Sequence, residues 1–106
     1  MAMLLLSGAG AAVTFISKGQ QSAYETSVLS LEGEIATGRE IFNANCSTCH
    51  GTEANGWIGP NLHAIKGRKS DLAIVRQVTT GQTPPMPKFD LDERQMADLL
   101  SYLKSI

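Results

Sequence analysis

The sequence predicts a small all-α domain that follows an apolar N-terminal leader. Three stretches, 34–44, 71–79 and 90–103, carry apolar residues at helical spacing, and no strand–helix–strand pattern accompanies them. The chain has 106 residues and a formal net charge of −1 at pH 7. It therefore holds one small domain at most, and it lacks the charge excess that would indicate nucleic acid as a partner.

The leader, residues 1–17, is an apolar run without a charged side chain, and Lys18 follows it. We interpret it as a membrane anchor or a cleaved signal segment, with a buried core helix as the third interpretation. No Lys or Arg precedes the run, which argues against a signal peptide. About sixteen residues at ~1.5 Å each fall short of a ~30 Å hydrocarbon core, which argues against a full span.

Residues 18–33 are predicted to be a flexible linker. The segment is mostly polar and offers too few apolar side chains to build a core of its own. Val28, Leu29 and Leu31 are candidates for docking on the following domain. A linker of this kind would let a tethered domain move over the membrane surface.

The domain proper, residues 34–106, begins with a helix predicted from Glu34 to Ala44. Ile35, Ile41 and Phe42 give this helix an apolar stripe, and Gly38 lies on the same face. A glycine inside a helix costs roughly 1 kcal/mol relative to alanine. Its presence therefore predicts a close contact with another helix.

Directly after this helix stands Cys46-Ser47-Thr48-Cys49-His50, the pattern of covalent c-type haem attachment. Positions i and i+3 of a helical turn share a face, so both thiols can reach the edge of one haem, with the histidine aimed at the iron. The alternatives are a redox dithiol, half a zinc site or a strained disulfide. A zinc site needs four ligands, and beyond the motif only His63 remains as a candidate.

A second helix is predicted from Asp71 to Thr79. Its apolar residues would wall the haem, namely Leu72, Ile74, Val75 and Val78, whereas Arg76 is expected to be solvated. Met86 follows in Thr83-Pro84-Pro85-Met86-Pro87, where prolines restrict the backbone. A thioether on such a stiff loop suits an iron ligand.

The last helix carries Met96, Leu99, Leu100 and Leu103 at helical spacing, with Tyr102 beside this stripe. Met96 is therefore expected in the core. Asp90, three residues before Glu93, fits the capping pattern for its start.

These motifs resemble those of class I cytochromes c. Gly38-x-x-x-Phe42-x-x-x-Cys46-x-x-Cys49-His50 is similar to their first helix and haem motif, and Leu99-x-x-Tyr102-Leu103 is similar to their last helix. Gly59-Pro60-Asn61-Leu62-His63, followed by Gly67-Arg68-Lys69, resembles the segment after the haem motif in mitochondrial-type members. The match covers nearly all of residues 34–106. The short connection from Lys69 to Met86 is similar to compact photosynthetic and bacterial members, and with the leader and linker the chain most resembles the cyanobacterial cytochrome cM group.

The resemblance implies a fold of three to four helices around one haem c, bound covalently through Cys46 and Cys49. It implies His50 and Met86 as the axial iron ligands, with His63 as the alternative to Met86. The Pro60 carbonyl is expected to accept a hydrogen bond from the non-ligating nitrogen of His50 and so orient the ring.

Two further residues are left with alternatives. Arg68 is expected near a haem propionate, as in the family, or else in a solvated loop with Lys66 and Lys69. Trp57 is expected to pack against the porphyrin edge or to fill the core.

The implied function is that of a one-electron carrier and not of an enzyme, in a photosynthetic or respiratory chain. Its partners would be a redox donor and acceptor that bind transiently, and the carrier itself would be a monomer. It would be anchored through residues 1–17 on the lumenal or periplasmic side, or soluble there after cleavage. The alternatives are a peroxidase-like haem enzyme or sensor with Met86 displaced, and a haem subunit of a larger membrane redox complex.

Overall fold

The computed structural model describes residues 20–106 as five α-helices, with no strand in that range. The helices are α1 (Ala23–Ser30), α2 (Ile35–Asn45), α3 (Ser47–His50), α4 (Asp71–Thr80) and α5 (Glu93–Ser105), with a 3₁₀ turn at Ile65–Gly67 before α4. The all-α prediction is confirmed. The leader of residues 1–17 lies outside the described residues. Within the range 20–106, no helix has the length and apolar character that a membrane crossing requires.

Helices α2 and α5 cross in close contact, and Gly38 lies at the crossing point. A Cβ atom added to Gly38 would meet the backbone carbonyl of Asp98 and would come within 2.8 Å of the Tyr102 Cβ. Phe42, one turn further along α2, is fully buried, and its ring centroid lies 5.4 Å from that of Tyr102. The predicted close helix contact at Gly38 is therefore confirmed.

The start of α2 is held by α5. Glu34, the N-cap residue, makes no side-chain cap, and its backbone N–H instead donates to Asp98 Oδ1 at 2.8 Å. Asp98 is only 4% exposed, and its carboxylate also lies 3.8 Å from the Arg94 guanidinium. A carboxylate at a helix N-terminus is favourably placed relative to the helix dipole. Asp98 thus contributes to both the α2 terminus and the α2–α5 contact.

The N-cap residue of helix α5 lies two residues later than predicted. Asp92, rather than Asp90, accepts a hydrogen bond from the Gln95 N–H at 2.8 Å, and the Gln95 side chain accepts one from the Asp92 N–H at 3.0 Å. Both Asp-x-x-Glu at 90–93 and Asp-x-x-Gln at 92–95 fit the capping-box pattern, and the second one forms. Met96 is fully buried, as predicted.

The prediction of a flexible linker over 18–33 is wrong for its described part, because α1 forms there and packs on the domain. A capping box between Ser22 and Glu25 closes its N-terminus. Val28 is fully buried in the common core, and Leu29 and Leu31 pack against it, so the three docking candidates do dock. A few well-placed side chains therefore attach this polar segment to the domain.

Helix α4 matches its predicted range to within one residue. Ser70 caps its start by accepting from the Ala73 N–H at 3.1 Å, and Gly81 ends it in the left-handed conformation (φ +58°). Arg76 is not merely solvated, as the sequence suggested: its guanidinium pairs with the Glu25 carboxylate at 2.8 Å.

Candidate haem site

The two cysteines lie one helical turn apart where α2 gives way to α3. Cys46 is the residue between the two helices, and its carbonyl accepts from the N–H groups of Cys49 at 3.2 Å and His50 at 2.9 Å. Both thiols are free and half-buried. Burial, and secondarily the nearby Cys49, raises the pKa of Cys46 to about 11. A reactive redox cysteine typically has a lowered thiol pKa, so the raised pKa of Cys46 gives that alternative no support.

His50 is buried, and its imidazole is packed against Gly59. A Cβ atom added to Gly59 would lie 2.7 Å from Cε1 and 2.9 Å from Nδ1 of the ring. Only a residue without a side chain fits under the imidazole at this position. The sequence shows Gly59 as part of a motif, but its contact with His50 becomes visible only in the folded chain.

Nδ1 of His50 lies 2.8 Å from the carbonyl oxygen of Pro60, the contact that the resemblance implied. A carbonyl oxygen can only accept, so Nδ1 carries the proton and Nε2 keeps its lone pair. This tautomer is the one that a metal-ligating histidine adopts when its other nitrogen is held by a backbone carbonyl.

The loop between α3 and Pro60 is closed by backbone hydrogen bonds to the haem motif. The Gly59 N–H donates to the Cys49 carbonyl at 2.7 Å, and the Gly56 N–H donates to the His50 carbonyl at 2.7 Å. Gly56 adopts φ +96°, a conformation in which a side chain would be strained. The loop therefore returns Gly59 and Pro60 to the histidine with little freedom.

His63 and Arg68 brace the next part of the same loop. Nε2 of His63 lies 2.7 Å from the Glu53 carbonyl, to which it can donate. The Arg68 guanidinium donates to the carbonyls of Asn61 and His63, each at 3.2 Å, while its side chain remains exposed. Both side chains thus stabilise the segment that carries Pro60. Arg68 is therefore more than a solvated cation, because it holds two backbone carbonyls. Its expected position near a haem propionate stays a prediction.

Trp57 is 76% exposed, so the prediction that it fills the core is wrong. The Trp57 N–H donates to the Gly59 carbonyl at 2.8 Å, so the backbone of this exposed residue is held within the loop. Ile58, its neighbour, is also exposed. The other alternative, packing against a porphyrin edge, stays a prediction.

Met86 is half-buried on the loop between α4 and α5, where it packs against the same core as Cys46. The side-chain amide of Gln77 donates a hydrogen bond to its sulfur at 3.3 Å, and the Thr83 hydroxyl donates to the Gln77 amide oxygen at 3.0 Å. Sequence patterns do not indicate Gln77, because a half-buried glutamine in a helix has no distinctive spacing or motif.

The residues present fit a covalent haem. Two free thiols on one turn suit covalent attachment to a porphyrin edge, and an imidazole with a free Nε2 and a soft thioether on a restrained loop suit Met/His ligation of its iron. A zinc centre finds less support: in the range 20–106, no three His, Cys, Asp or Glu side chains are grouped so that they could hold a metal ion.

The known proteins that this chain resembles are described as cytochromes. Residues 33–103 match the family model described as "Cytochrome C oxidase, cbb3-type, subunit III". The chain is 47% identical to a cytochrome c-553-like protein of Synechocystis over 90% of both chains, and 34% identical to cytochrome c6 of Diacronema lutheri over 69% of this chain and 96% of the relative. Among solved structures, cytochrome cL of Methylophaga aminisulfidivorans is similar in fold, with a TM-score of 0.61 and 22% identity over 82% of this chain and 70% of that one.

Proposed function

The chain belongs to the cytochrome c family and is a small electron carrier with one covalent haem c, and we propose that His50 and Met86 are the axial ligands of the iron. The observation that carries the proposal is the hydrogen bond between Nδ1 of His50 and the Pro60 carbonyl, beside two free thiols on one helical turn. When bound, the haem would supply an iron that accepts one electron from a donor protein and passes it to an acceptor.

On the histidine side, the protein holds the ring in one orientation and one tautomer. Gly59 supports the imidazole, Pro60 accepts the proton of Nδ1, and Nε2 is left as the metal-binding atom. A hydrogen-bonded ligand is more basic, so this contact also strengthens the iron bond. The backbone of the 51–60 loop therefore sets the properties of the ligand.

On the opposite side, we assign the ligand to Met86 rather than to His63. The Met86 sulfur lies on the segment bounded by α4 and α5, where three prolines restrict the backbone. His63 is exposed, and its Nε2 bonds the Glu53 carbonyl. An iron with His and Met ligands has no open coordination position, and the remaining chemistry is one-electron transfer at a raised potential.

The same ligand set argues for a carrier over a haem enzyme. The relatives are electron-transfer cytochromes, which are not enzymes. A peroxidase-like activity would require an iron position open to substrate, and a restrained Met86 would close it. We therefore propose that the chain is not an enzyme and that it exchanges electrons with a donor and an acceptor through brief contacts.

Cytochromes c of this kind work on the lumenal or periplasmic side of a membrane. We propose the same side for residues 20–106, with residues 1–17 as an anchor or a cleaved signal segment. We further propose that the carrier is a monomer and that it serves a photosynthetic or respiratory chain. Redox partners of such carriers form small, weak interfaces, which suits a chain with a net charge of −1 and little long-range steering.

An optically monitored redox titration of the full-length holoprotein tests the ligand assignment. We expect a low-spin spectrum with the weak red band of iron–sulfur ligation, and its loss together with a substantial drop in potential in Met86→Leu. Met96→Leu is the matched control, because Met96 is fully buried in the core. If Met86→Leu leaves both the band and the potential unchanged, Met86 is not the ligand. Binding of carbon monoxide by the wild-type protein would favour an enzyme or sensor instead of a carrier.

A second candidate is a haem subunit of a larger membrane redox complex. It is favoured by the description of the matched family model, which is that of an oxidase subunit. Isolation of the chain from its native membranes in mild detergent distinguishes the two. A stable complex with other subunits supports the second candidate, and recovery of the chain alone supports the mobile carrier.

A further inference from the structure

We propose that helix α1 clamps both ends of the loop that carries Met86, with Tyr24 and Glu25 as positioning residues for the sulfur ligand. The inference rests on the proposed ligation by Met86. Helix α1, which precedes the haem motif in the chain, would then help to keep the sulfur on the iron.

The first contact joins α1 to the helix before the loop. The Glu25 carboxylate accepts from Nε of Arg76 at 2.8 Å and from a terminal guanidinium nitrogen at 3.2 Å. The Glu25 side chain is 11% exposed and that of Arg76 is 31% exposed, so the carboxylate is shielded from water while the guanidinium remains partly solvated. Forked Arg–carboxylate pairs of this kind combine strength with a fixed geometry.

Arg76 directly precedes Gln77, whose amide donates to the Met86 sulfur. The turn of α4 that Glu25 fixes is therefore the turn that carries the donor to the sulfur. Val28, fully buried one turn further along α1, keeps the clamp in contact with the core.

The second contact joins α1 to the end of the loop. The Tyr24 hydroxyl donates to the Leu91 carbonyl at 2.7 Å, and Leu91 immediately precedes Asp92, the cap of α5. Burial, followed by the charge of Glu93, raises the pKa of Tyr24, so its hydroxyl remains a donor. Adjacent residues of α1 thus bind helix α4, which precedes the loop, and Leu91, at the end of the loop.

Two backbone hydrogen bonds help to hold the part of the loop around Met86. The Phe89 N–H bonds the Val78 carbonyl at 2.9 Å, and the Met86 N–H bonds the Thr83 carbonyl at 3.1 Å. A loop opens more readily when its ends are free to separate, because local openings draw on the segments with the fewest buried contacts. By fixing both ends, α1 lowers the fraction of molecules in which Met86 leaves the iron.

The test measures binding of imidazole to the ferric holoprotein, a reaction that requires the sulfur to leave the iron. Tyr24→Phe and Glu25→Gln each remove part of the clamp with almost no change in shape. We expect each to raise the rate of imidazole binding roughly 2- to 10-fold, the range that loss of one partly buried hydrogen bond predicts for an opening equilibrium. Arg76→Lys, which keeps the charge but loses the fork, should give the same direction of change.

Two controls separate the clamp from general destabilisation. Thr26→Val changes an exposed residue of α1, and Leu103→Val removes a methylene group from the buried face of α5. Neither is expected to accelerate imidazole binding, although Leu103→Val lowers the midpoint of global unfolding. Equal acceleration by Leu103→Val would overturn the proposal, because the effect would then follow stability alone.

The failure of the clamp is distinguishable from the failure of the ligand assignment. A wild-type protein without the iron–sulfur band overturns ligation by Met86 and the clamp with it. If the wild-type protein shows the iron–sulfur band but the clamp variants bind imidazole at the wild-type rate, the clamp is overturned and ligation by Met86 stands.

Discussion

The side-chain amide of Gln77 donates a hydrogen bond to the sulfur of Met86 at 3.3 Å, and the amide oxygen of Gln77 is itself held by Thr83. The donor, the sulfur and the support for the donor thus lie within ten residues of one another in the chain. A bond to the lone pair of a thioether reduces the electron density that the sulfur can give to a metal. With Met86 as the proposed ligand, the potential of the haem is therefore expected to depend on this glutamine as well.

We predict that Gln77→Leu lowers the reduction potential of the haem. Without the N–H donor, the sulfur donates more strongly and stabilises the oxidised iron. One hydrogen bond contributes about 1 kcal/mol, which corresponds to roughly 40 mV for a one-electron couple. The measurement is a spectroelectrochemical titration in which the iron–sulfur band confirms that Met86 stays bound.

Gln82→Leu is the matched control for this experiment. Gln82 is exposed in the same loop, so its replacement tests the effect of losing an amide without losing the contact to the sulfur. We expect its potential to remain within about 10 mV of the wild-type value, well below the hydrogen-bond effect. Equal potentials for Gln77→Leu and Gln82→Leu would contradict the role of Gln77.

The contact of α2 with α5 predicts that Gly38→Ala is strongly destabilising. The added methyl group would overlap the Asp98 carbonyl and press on Tyr102, so the two helices must separate. Overpacking of this kind costs about 1–3 kcal/mol or more of unfolding free energy. Gly67→Ala is the control, because a Cβ atom there meets nothing within 4 Å. Urea unfolding of the two holoproteins provides the measurement, and equal midpoints would exclude a special role for Gly38.

Short-range patterns account for the part of the fold that the sequence could predict. The stripe around Gly38 and Phe42 follows from helical periodicity, and the Cys46–His50 motif specifies its own local geometry. The partner of His50 came from family resemblance, since the contact between His50 and Pro60 joins segments ten residues apart. Such contacts depend on how a loop closes, which no local pattern specifies.

The part that could not be predicted depends on single long-range contacts of polar residues. The polar sequence of helix α1 predicts a linker, yet Tyr24 bonds a carbonyl 67 residues away and Glu25 pairs with a residue 51 positions away. Composition measures how much apolar area a segment can bury, and it does not register a capping box or a buried ion pair. Asp98 was missed for the same reason, since it caps a helix from another part of the chain.

Without its haem, the protein is expected to be largely unfolded. A domain of this size rarely buries enough apolar surface to be stable alone, and a covalent haem adds a large apolar group to the core. We predict that Cys46→Ala/Cys49→Ala loses most of its far-UV circular dichroism signal for helix. Thr48→Ala, between the two cysteines and exposed, should keep both haem and helix. Native helix content in the double variant would show that the chain folds without the cofactor.

The pair of Glu25 and Arg76 predicts a specific dependence of stability on pH. The hydrogen bonds from the Arg76 guanidinium, followed by the one from the Ser22 backbone, hold the pKa of Glu25 at about 2, below its ordinary value of 4.5. A carboxyl group with a lowered pKa stabilises the fold above its unfolded-state pKa, and this contribution is lost as the pH falls from 4.5 towards 2.

Glu25→Gln removes the titrating group, so it should destabilise the holoprotein at about pH 6 and have a much smaller effect at about pH 3, where wild-type Glu25 is losing its advantage. Asp71→Asn is the control, because the pair of Asp71 with Lys104 is exposed to water on both sides, and pairs of that kind contribute little. The measurement is the difference in urea midpoint between variant and wild type at both pH values. A difference that does not shrink on acidification would show that Glu25 acts through its shape and hydrogen bonds and not through its charge.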